Sequence, residues 1–330
     1  MKIPVLLLFL ILAITTRSQN IPVNDSVFTV TDTPHFIFRS KRILQPSPVY
    51  HPQRAYMVAA VNTAAVAGTG IWLYNSWYKQ YKSTRFHFFD DLSEWLQVDK
   101  MGHSYTAYII SRYNTDLWRW AGMSRRKSIW MGGISGAAYQ TFIEVFDGFS
   151  SGWGWSWGDF AANITGSGLF VGQEFAWGEQ RISFKFSFHR KDYGSAFLNN
   201  RADDIFGRSL NQRALKDYNG QTYWLSANLH SFMPASRFPA WLNIALGYGA
   251  ENMFGAREDS WKDAAGHPVT LPGNLDRYRQ FYLAPDIDLT RIKTRSRLLR
   301  TTFNLLNCVK FPTPSIEFSR NKFRWNWMHF

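Results

Sequence analysis

The chain of 330 residues carries a formal net charge of +13, and its only cysteine is Cys308. This count excludes an intrachain disulfide and any cysteine-based zinc site, so a hydrophobic core or a membrane must stabilise the fold. Aromatic side chains make up 17% of the residues and include 15 tryptophans, which is typical of chains that meet a boundary between apolar and aqueous surroundings.

The first residues have the pattern of a secretory signal peptide. Lys2 supplies a positive start, residues 3–15 form an almost uninterrupted apolar run, and Thr16 and Ser18 occupy the −3 and −1 positions of a cleavage site. We therefore predict that residues 1–18 are a signal peptide and that the protein is exported into a bacterial-type cell envelope. A retained N-terminal anchor is the alternative. No cysteine lies near the cleavage site, so acylation of the lipoprotein type is not expected there.

Two contrasting segments follow the signal peptide. Residues 19–53 contain five prolines and no persistent periodicity, which predicts an irregular N-terminal segment. Residues 55–78 contain no charged residue and are bracketed by Arg54 and Lys79. A helix of this length can cross a hydrocarbon core of ~30 Å at ~1.5 Å per residue. We predict either a membrane-spanning helix or the central helix of a bundle.

Three further helices are predicted over residues 98–120, 129–146 and 159–176, all of them apolar and rich in small residues. Small residues allow helices to approach one another closely. Together with residues 55–78 these segments predict a four-helix bundle over residues 54–179. Membrane embedding of this bundle is one of two alternatives, and a bundle lying outside the membrane is the other.

Strand periodicity replaces helical periodicity from residue 180 onwards. Alternating apolar and polar residues predict strands over residues 182–188, 223–229, 242–248 and 323–327. Residues 291–310 instead predict a basic amphipathic helix. The predicted fold class is therefore α+β, with a helical unit followed by a β-rich domain over residues 180–330.

The second half of the chain is basic. Residues 181–330 contain 22 Lys/Arg against 12 Asp/Glu, an excess of 10 positive charges. In an exported protein this excess indicates membrane lipid or an anionic envelope component as the partner, and not nucleic acid. The alternative is a basic surface that is merely solvated.

Polar side chains recur four residues apart on each of the last three predicted helices. The pairs are Asp99 and His103, Gln140 and Glu144, and Asp159 and Asn163, with Lys100 beside the first pair. Residues at this spacing share one face of a helix. Ionisable groups among apolar helices are costly unless they pair or bind a metal, so we expect the three polar faces to meet.

Two interpretations of this cluster stay open. It is either a satisfied network that fixes helix register or a functional site. In a site, His103 would be an acid or base and Lys100 would contact a phosphate, while the carboxylates would be metal ligands or partners of the histidine. The candidate catalytic residues are Asp99, Lys100, His103, Glu144, Asp159 and Asn163. The identity of any metal or cofactor stays open.

The motifs of this region resemble a known family. The sequence D-K-M-G-H at residues 99–103, Glu144, and the run G-D-F-A-A-N-I-T-G at residues 158–166 resemble the YfiM-type family of predicted periplasmic lipoproteins, an uncharacterised domain. Their order is also similar to that of the VanZ-like membrane domain, and the resemblance covers residues 55–178. Neither family implies an established reaction. Lipid attachment is not carried over, because the predicted cleavage site lacks a cysteine.

Three functions are compatible with these features. The first is a non-enzymatic, membrane-associated envelope protein with a structural role or a role in binding lipid or a partner. The second is a metal- or histidine-assisted hydrolase or transferase that acts on phosphorylated lipid. The third is an outer-membrane β-barrel-like protein, indicated by the alternating aromatic residues of the C-terminal strand. No Walker A or H-E-x-x-H motif is present.

Overall fold

A computed structural model describes residues 45–76, 78–263, 265–271 and 275–329. The predicted signal peptide, residues 1–18, and residues 19–44 of the predicted irregular segment lie outside this range, and residues 45–51 contain no helix or strand. The described residues form helices and one large antiparallel sheet within one compact unit, so the fold class is α+β.

Four long helices occupy the first half of the described chain. They are α1 (Pro52–Ser76), α2 (Val98–Trp120), α3 (Arg125–Gly148) and α4 (Trp157–Ala176). Helices α2, α3 and α4 pack on one another. Helix α1 lies against them at two places: Ala55 and Val58 near its start contact Trp118 at the end of α2, and Thr69 in its second half lies 2.5 Å from the hydroxyl of Tyr139 in α3.

Helix α1 exposes most of its apolar side chains. Tyr56 is 77% exposed and Ile71 is 66% exposed, so α1 is not the central helix of a bundle. By length and composition, α1 is the one helix in the described ranges that could cross a membrane.

Glycines allow α3 and α4 to approach α2 closely. A Cβ atom added at Gly166 of α4 would lie 1.9 Å from the carbonyl oxygen of Ser104, and one added at Gly132 of α3 would lie 1.9 Å from Oγ1 of Thr115. No side chain fits at such distances, so glycine is required at both contacts. This close approach brings the polar side chains of the three helices within reach of one another.

The second half of the chain forms a six-stranded antiparallel sheet and a small two-stranded ribbon. The sheet consists, in spatial order, of β1 (Ile182–Phe188), β2 (Gln221–Asn228), β3 (Leu242–Glu251), β6 (Tyr278–Ile287), β7 (Thr313–Ser319) and β8 (Lys322–His329). The ribbon pairs β4 (Ser260–Lys262) with β5 (Pro268–Thr270). The four predicted strands are present, and β6 and β7 were not predicted.

The register of the sheet separates an apolar face from a polar face. One row of paired residues crosses all six strands and consists of Phe184, Leu225, Leu246, Leu283, Ile316 and Trp325. The adjacent row, which points to the other side, consists of Lys185, Trp224, Gly247, Tyr282, Glu317 and Arg324. Each strand therefore contributes apolar side chains to one face and mainly polar or small side chains to the other.

The helices cover only one end of the apolar face. Phe184 and Tyr223 pack there against Tyr108 of α2 and Phe170 of α4. The rest of this face, which we call the open apolar face, is exposed. It comprises Leu225, Ile244, Leu246, Phe281, Leu283, Ile316, Phe318, Phe323 and Trp325.

The polar face is buried because the sheet curls around it. Lys185 and Asp286 are fully buried there and form an ion pair of 2.7 Å. His329, in the edge strand β8, stacks on Tyr282 at 4.0 Å and lies 3.2 Å from the hydroxyl of Thr222 in β2. The end of β8 thus returns over the far side of the sheet and encloses polar side chains.

Four short helices, α5 (Ala196–Phe206), α6 (Leu210–Lys216), α7 (Leu229–Phe232) and α8 (Arg297–Leu306), complete the fold. The predicted helix over residues 291–310 is shorter than expected, because α8 begins after Ser296, whose hydroxyl accepts a hydrogen bond from the Leu299 amide. Arg291 is buried in ion pairs with Glu179 and Asp288. Arg291 therefore lies outside α8 and its charge is internal, which corrects its place in the predicted basic helix.

The single cysteine lies where the helical group meets the sheet. Cys308 is 4% exposed, and its carbonyl accepts hydrogen bonds from the amide of Phe186 in β1 and the hydroxyl of Tyr105 in α2. Residues just after α8 therefore connect the helices to the first strand.

Candidate functional site

The polar side chains of α2, α3 and α4 meet at one end of the helical group, where α2 and α4 begin and α3 ends. The structure brings together all six candidate catalytic residues, Asp99, Lys100, His103, Glu144, Asp159 and Asn163. Asp99 and Asp159 lie in the first turns of α2 and α4, where the helix dipole favours negative charge. The chemical roles of these residues stay predictions.

Lys100 lies between three carboxylates. Its Nζ atom is 2.7 Å from Oδ2 of Asp91, 2.8 Å from Oδ1 of Asp159 and 3.2 Å from Oδ2 of Asp99. Burial alone would lower the pKa of Lys100, but Asp99 and Asp159 raise it above its usual value. The ammonium group is therefore held in its charged form and fixes the positions of the surrounding carboxylates.

Asp91 was not identified from the sequence. It precedes α2 and accepts a hydrogen bond of 2.6 Å from Ser156, whose hydroxyl also caps α4 by accepting the Asp159 amide at 2.9 Å. A single serine thus joins the carboxylate of Asp91 to the start of the helix that carries Asp159.

His103 is the centre of the cluster. Nδ1 lies 3.2 Å from Oδ1 of Asn163 and 3.5 Å from Oε1 of Glu144, while Nε2 lies 3.9 Å from Oδ1 of Asp99 and 3.8 Å from Oδ1 of Asp159. Burial alone would lower the pKa of His103, but the carboxylates of Asp159, Asp99 and Glu144 raise it to about 9. The imidazole is therefore protonated at neutral pH and could donate a proton.

Glu144 and Asn163 place polar atoms in the cluster that lack hydrogen-bond partners in the described part of the chain. These atoms are Oε1 of Glu144, a residue only 1% exposed, and Nδ2 of Asn163, which is 0% exposed. Burial raises the pKa of Glu144 to about 8, and the charge of Asp159 adds to the effect. The structure therefore buries a carboxyl group with one oxygen directed towards His103.

Two further carboxyl groups have raised pKa values. Burial and the charge of Asp99 raise the pKa of Asp159 to about 7. Burial also raises the pKa of Asp147 to about 6, although a hydrogen bond of 2.6 Å from Tyr78 opposes the shift. The pKa values of Glu144, Asp159 and Asp147 therefore span about 6 to 8.

The sheet side of the molecule also contributes to the site. Tyr218, which precedes β2, donates a hydrogen bond of 2.8 Å to Oδ1 of Asp99. Burial would raise the pKa of Asp99, but the positive charges of His103 and Lys100 lower it. Tyr218 was not identified from the sequence, because its position near α2 depends on the tertiary fold.

A strained turn directs the chain into α2. Trp95, Leu96 and Gln97 have positive φ angles of 48°, 47° and 64°, a conformation that is uncommon for residues other than glycine. The carbonyl of Leu96 accepts a hydrogen bond from Tyr248 of β3, and Arg279 of β6 donates one of 2.6 Å to Gln97. Two strands therefore hold the turn that separates Asp91 from Asp99.

Three residues of the cluster offer ligand atoms at a spacing suited to one metal ion. Oxygen atoms of Asp99 and Asp159 and a ring nitrogen of His103 lie within 4.8 Å of one another. The side chains of Asp99 and His103 are 21% and 17% exposed to solvent, so a small ion can reach the cluster from the surface. The arrangement could bind a cation or move a proton.

The fold and this cluster define an α+β protein with a polar site held by three helices. Residues 86–172 match the family described as "Predicted periplasmic lipoprotein (DUF2279)". No curated protein and no solved structure matches the chain. The match confirms the predicted resemblance to a family of predicted periplasmic lipoproteins and spans all six candidate residues, whereas the VanZ-like order of motifs stays a prediction.

This match also confirms the predicted location. The protein is an exported, membrane-associated protein of the cell envelope. Among the 330 residues the single cysteine is Cys308, which is buried.

Proposed function

We propose that this protein is a non-enzymatic envelope protein that lies in the membrane surface and contacts lipid through the open apolar face. The observation that carries the proposal is the orientation of the sheet. Leu246 is 63% exposed and Phe323 is 76% exposed on the outer face, while Lys185 and Asp286 are fully buried on the other. In a protein surrounded by water the polar face is normally outside, and the reverse arrangement is typical of sheets that face lipid.

The size and composition of the open apolar face support lipid as the occupant. Soluble monomers seldom expose large contiguous apolar patches, and nine large apolar side chains from five strands form this one. Trp325, which is exposed on this face, is of a residue type that is enriched where membranes meet water.

Helix α1 supports the same proposal independently. It exposes its apolar side chains, it is long enough to cross a membrane, and the basic residues Arg54 and Lys79 lie at its two ends. Basic residues at the ends of an apolar helix favour the headgroup region. We propose that α1 is embedded in the membrane, which is one of the two alternatives that its sequence predicts.

A vesicle flotation assay tests the role of the open apolar face. The purified chain is mixed with vesicles of phosphatidylethanolamine and phosphatidylglycerol, and the fraction that floats is measured before and after a carbonate wash. We expect the triple variant Leu246→Ser, Phe281→Ser, Trp325→Ser to float several-fold less than the unmodified protein.

The matched control replaces three exposed apolar residues of α5 and α6, in the variant Phe197→Ser, Leu210→Ser, Leu215→Ser, and this variant should float normally. Equal flotation of both variants would refute the proposal. So would an unmodified protein that stays monodisperse in buffer and ignores the vesicles. Stable dimers in buffer would instead assign the open apolar face to a second copy of the chain.

The polar cluster favours a second candidate function, a hydrolase or transferase that acts on phosphorylated lipid. Carboxylates raise the pKa of His103 to about 9, and Lys100 supplies a positive charge beside it. A protonated histidine can donate a proton to the oxygen atom that leaves when a phosphate ester or diphosphate bond is cleaved. The test is release of phosphate from phosphatidic acid and from a polyprenyl diphosphate. Release that is lost in His103→Ala would support the enzyme, and no release by the unmodified protein would exclude both substrates.

The same orientation of the sheet also supports the alternative of an outer-membrane β-barrel-like protein. Membrane barrels also point apolar residues outwards and polar residues inwards. In the described residues the sheet ends at β1 and β8, and the outer side of β1 pairs at Phe186 with residues 308–310 and not with β8. A barrel would need pairing between these edges or additional strands.

A further inference from the structure

The polar cluster contains the parts of a metal centre, beginning with its ligand atoms. Nε2 of His103 lies 3.9 Å from Oδ1 of Asp99 and 3.8 Å from Oδ1 of Asp159, and one ligand atom from each of the three residues lies within 4.8 Å of the other two. A point equidistant from atoms at this spacing lies about 2.5 Å from each, so small side-chain movements reach the ~2.0–2.2 Å of first-row divalent metals.

A second observation comes from the other ring nitrogen of His103. A histidine that binds a metal usually donates its remaining N–H to a carboxylate or carbonyl oxygen. Nδ1 of His103 faces Oδ1 of Asn163 at 3.2 Å, the side-chain amide of Gln140 at 3.3 Å and Oε1 of Glu144 at 3.5 Å. This Glu144 oxygen has no hydrogen-bond partner in the described chain, and its side chain is only 1% exposed.

The formal charges leave room for a divalent cation. Asp91, Asp99, Glu144 and Asp159 converge on the cluster, against the positive charges of Lys100, which contacts three of them, and of protonated His103. A metal ion at Nε2 of His103 would displace the proton of that nitrogen. Oδ1 of Asp159 contacts Lys100 and is also one of the oxygen atoms that would bind the metal. Lys100 retains Asp91 as a partner at 2.7 Å if a metal takes that oxygen.

We propose that Asp99, His103 and Asp159 bind one first-row divalent metal ion, Mn²⁺ or Zn²⁺, with Glu144 as a positioning residue that orients His103. The imidazole ligand selects these ions over Mg²⁺ and Ca²⁺, which favour sets made of oxygen atoms alone. Three protein ligands leave further positions for water or for an oxygen of an anionic ligand. The site is independent of the proposed contact with lipid.

Calorimetry and electron paramagnetic resonance test the site. The full chain, purified in mild detergent and treated with EDTA, is titrated with Mn²⁺ and separately with Zn²⁺. We expect one equivalent to bind and the melting temperature to rise. The variants Asp99→Asn and His103→Ala should each weaken binding at least tenfold, because each removes a ligand.

A surface pair supplies the matched control. Asp263 and His267 are also four residues apart, and their side chains lie 3.5 Å from each other, but they are exposed. The variant Asp263→Asn, His267→Ala should bind the metal normally. Weakening by this control with no effect of the cluster variants would mean that the metal binds the surface pair, and the proposal would be wrong.

Two more variants keep the test decisive if His103→Ala does not fold. Glu144→Gln preserves shape and should weaken binding severalfold, because the amide accepts less strongly from the imidazole. Lys100→Met should strengthen binding, because it removes a competing cation. The absence of metal binding by the unmodified protein, or binding that no cluster variant changes, would overturn the proposal. The flotation assay is repeated with the EDTA-treated protein. Flotation without metal would show that lipid contact persists, so a failure of metal binding can be distinguished from a failure of lipid contact.

Discussion

Lys185 and Asp286 form an ion pair of 2.7 Å in which both side chains are fully buried on the polar face of the sheet. Lys185 also donates to the carbonyl of Ile287 at 2.7 Å, and Ser226 donates to Asp286 at 2.6 Å. Because neither charged group reaches water, each charge is stabilised by the opposite charge of its partner. Removing one partner leaves the second charge uncompensated.

We therefore expect Asp286→Ala to lower the free energy of unfolding by about 3–5 kcal/mol. The double variant Lys185→Met, Asp286→Leu should recover most of this loss, because no charge remains unpaired. Urea denaturation in detergent measures both. Arg208→Ala, which breaks the exposed pair with Asp203, is the control and should cost less than about 1 kcal/mol. A double variant as unstable as Asp286→Ala would contradict the explanation.

The contact of α4 with α2 predicts a strong effect of one added methyl group. Gly166→Ala would place Cβ 1.9 Å from a backbone carbonyl oxygen of α2, so the helices must separate and the free energy of unfolding should fall by about 2 kcal/mol or more. Gly168→Ala and Gly172→Ala are controls on the same helix, since no atom lies within 4 Å of either added Cβ. These controls should be neutral or slightly stabilising. Thermal denaturation of the three variants gives the comparison.

The raised pKa of Glu144 predicts a dependence of stability on pH. In the folded state this pKa is about 8, against 4.5 for the ordinary side chain, so the folded protein retains a proton that the unfolded chain releases. The contribution is fully present below pH 4.5 and is lost as the pH rises through 8. Glu144→Gln should match the unmodified protein at low pH and exceed its stability by about 2–4 kcal/mol above the folded pKa.

Unfolding measured with EDTA at several pH values tests this expectation, because EDTA removes any metal that competes with protons. The stability difference between the two proteins should grow over the interval between the two pKa values and then stay constant. A difference that does not change with pH would show that Glu144 ionises normally in the folded protein.

Helix α8 predicts a salt-dependent contribution to membrane binding. Leu298 is 76% exposed, and Arg295 and Arg297 are exposed beside it. Each basic residue near an anionic surface contributes about 1 kcal/mol at low salt. The variant Arg295→Gln, Arg297→Gln, Arg300→Gln should therefore bind anionic vesicles roughly 100-fold less tightly at low salt, and the difference should shrink in high salt.

The control for α8 replaces three basic residues elsewhere, in the variant Arg190→Gln, Arg208→Gln, Lys262→Gln. It removes the same charge from other exposed positions and should bind almost normally. Equal losses in both variants would assign the effect to net charge, and unchanged binding in the α8 variant would leave packing as the role of this helix.

Features with local periodicity could be predicted from the sequence. The helices α1 to α4 and the strands β1, β2, β3 and β8 were predicted near their observed positions. The spacing of four residues also selected Asp99 and His103, because residues at this spacing share a helix face wherever the helix packs. Asp91, Ser156 and Tyr218 lie in turns, and only the tertiary fold brings them to the cluster.

The orientation of the sheet could not be predicted in the same way. Alternation along β3 separates Leu246 from Ala245, but it does not determine which of the two faces is buried. Strand β6 was missed because Tyr282 and Ala284 on the buried face lie among Phe281 and Leu283 on the exposed face, so the alternation is indistinct. Arg291 illustrates the same limit, since its burial depends on Glu179, which is distant in sequence.

The buried Cys308 has a consequence for export into an oxidising compartment. In the folded protein the thiol is shielded at the junction of α2 and β1, but an unfolded chain exposes it without an internal partner. Its oxidation would then produce disulfide-linked dimers. During export, the helices must therefore dock on the sheet before the thiol of Cys308 is oxidised. In the folded protein, the rate at which a thiol reagent modifies Cys308 measures how often the helices separate from the sheet.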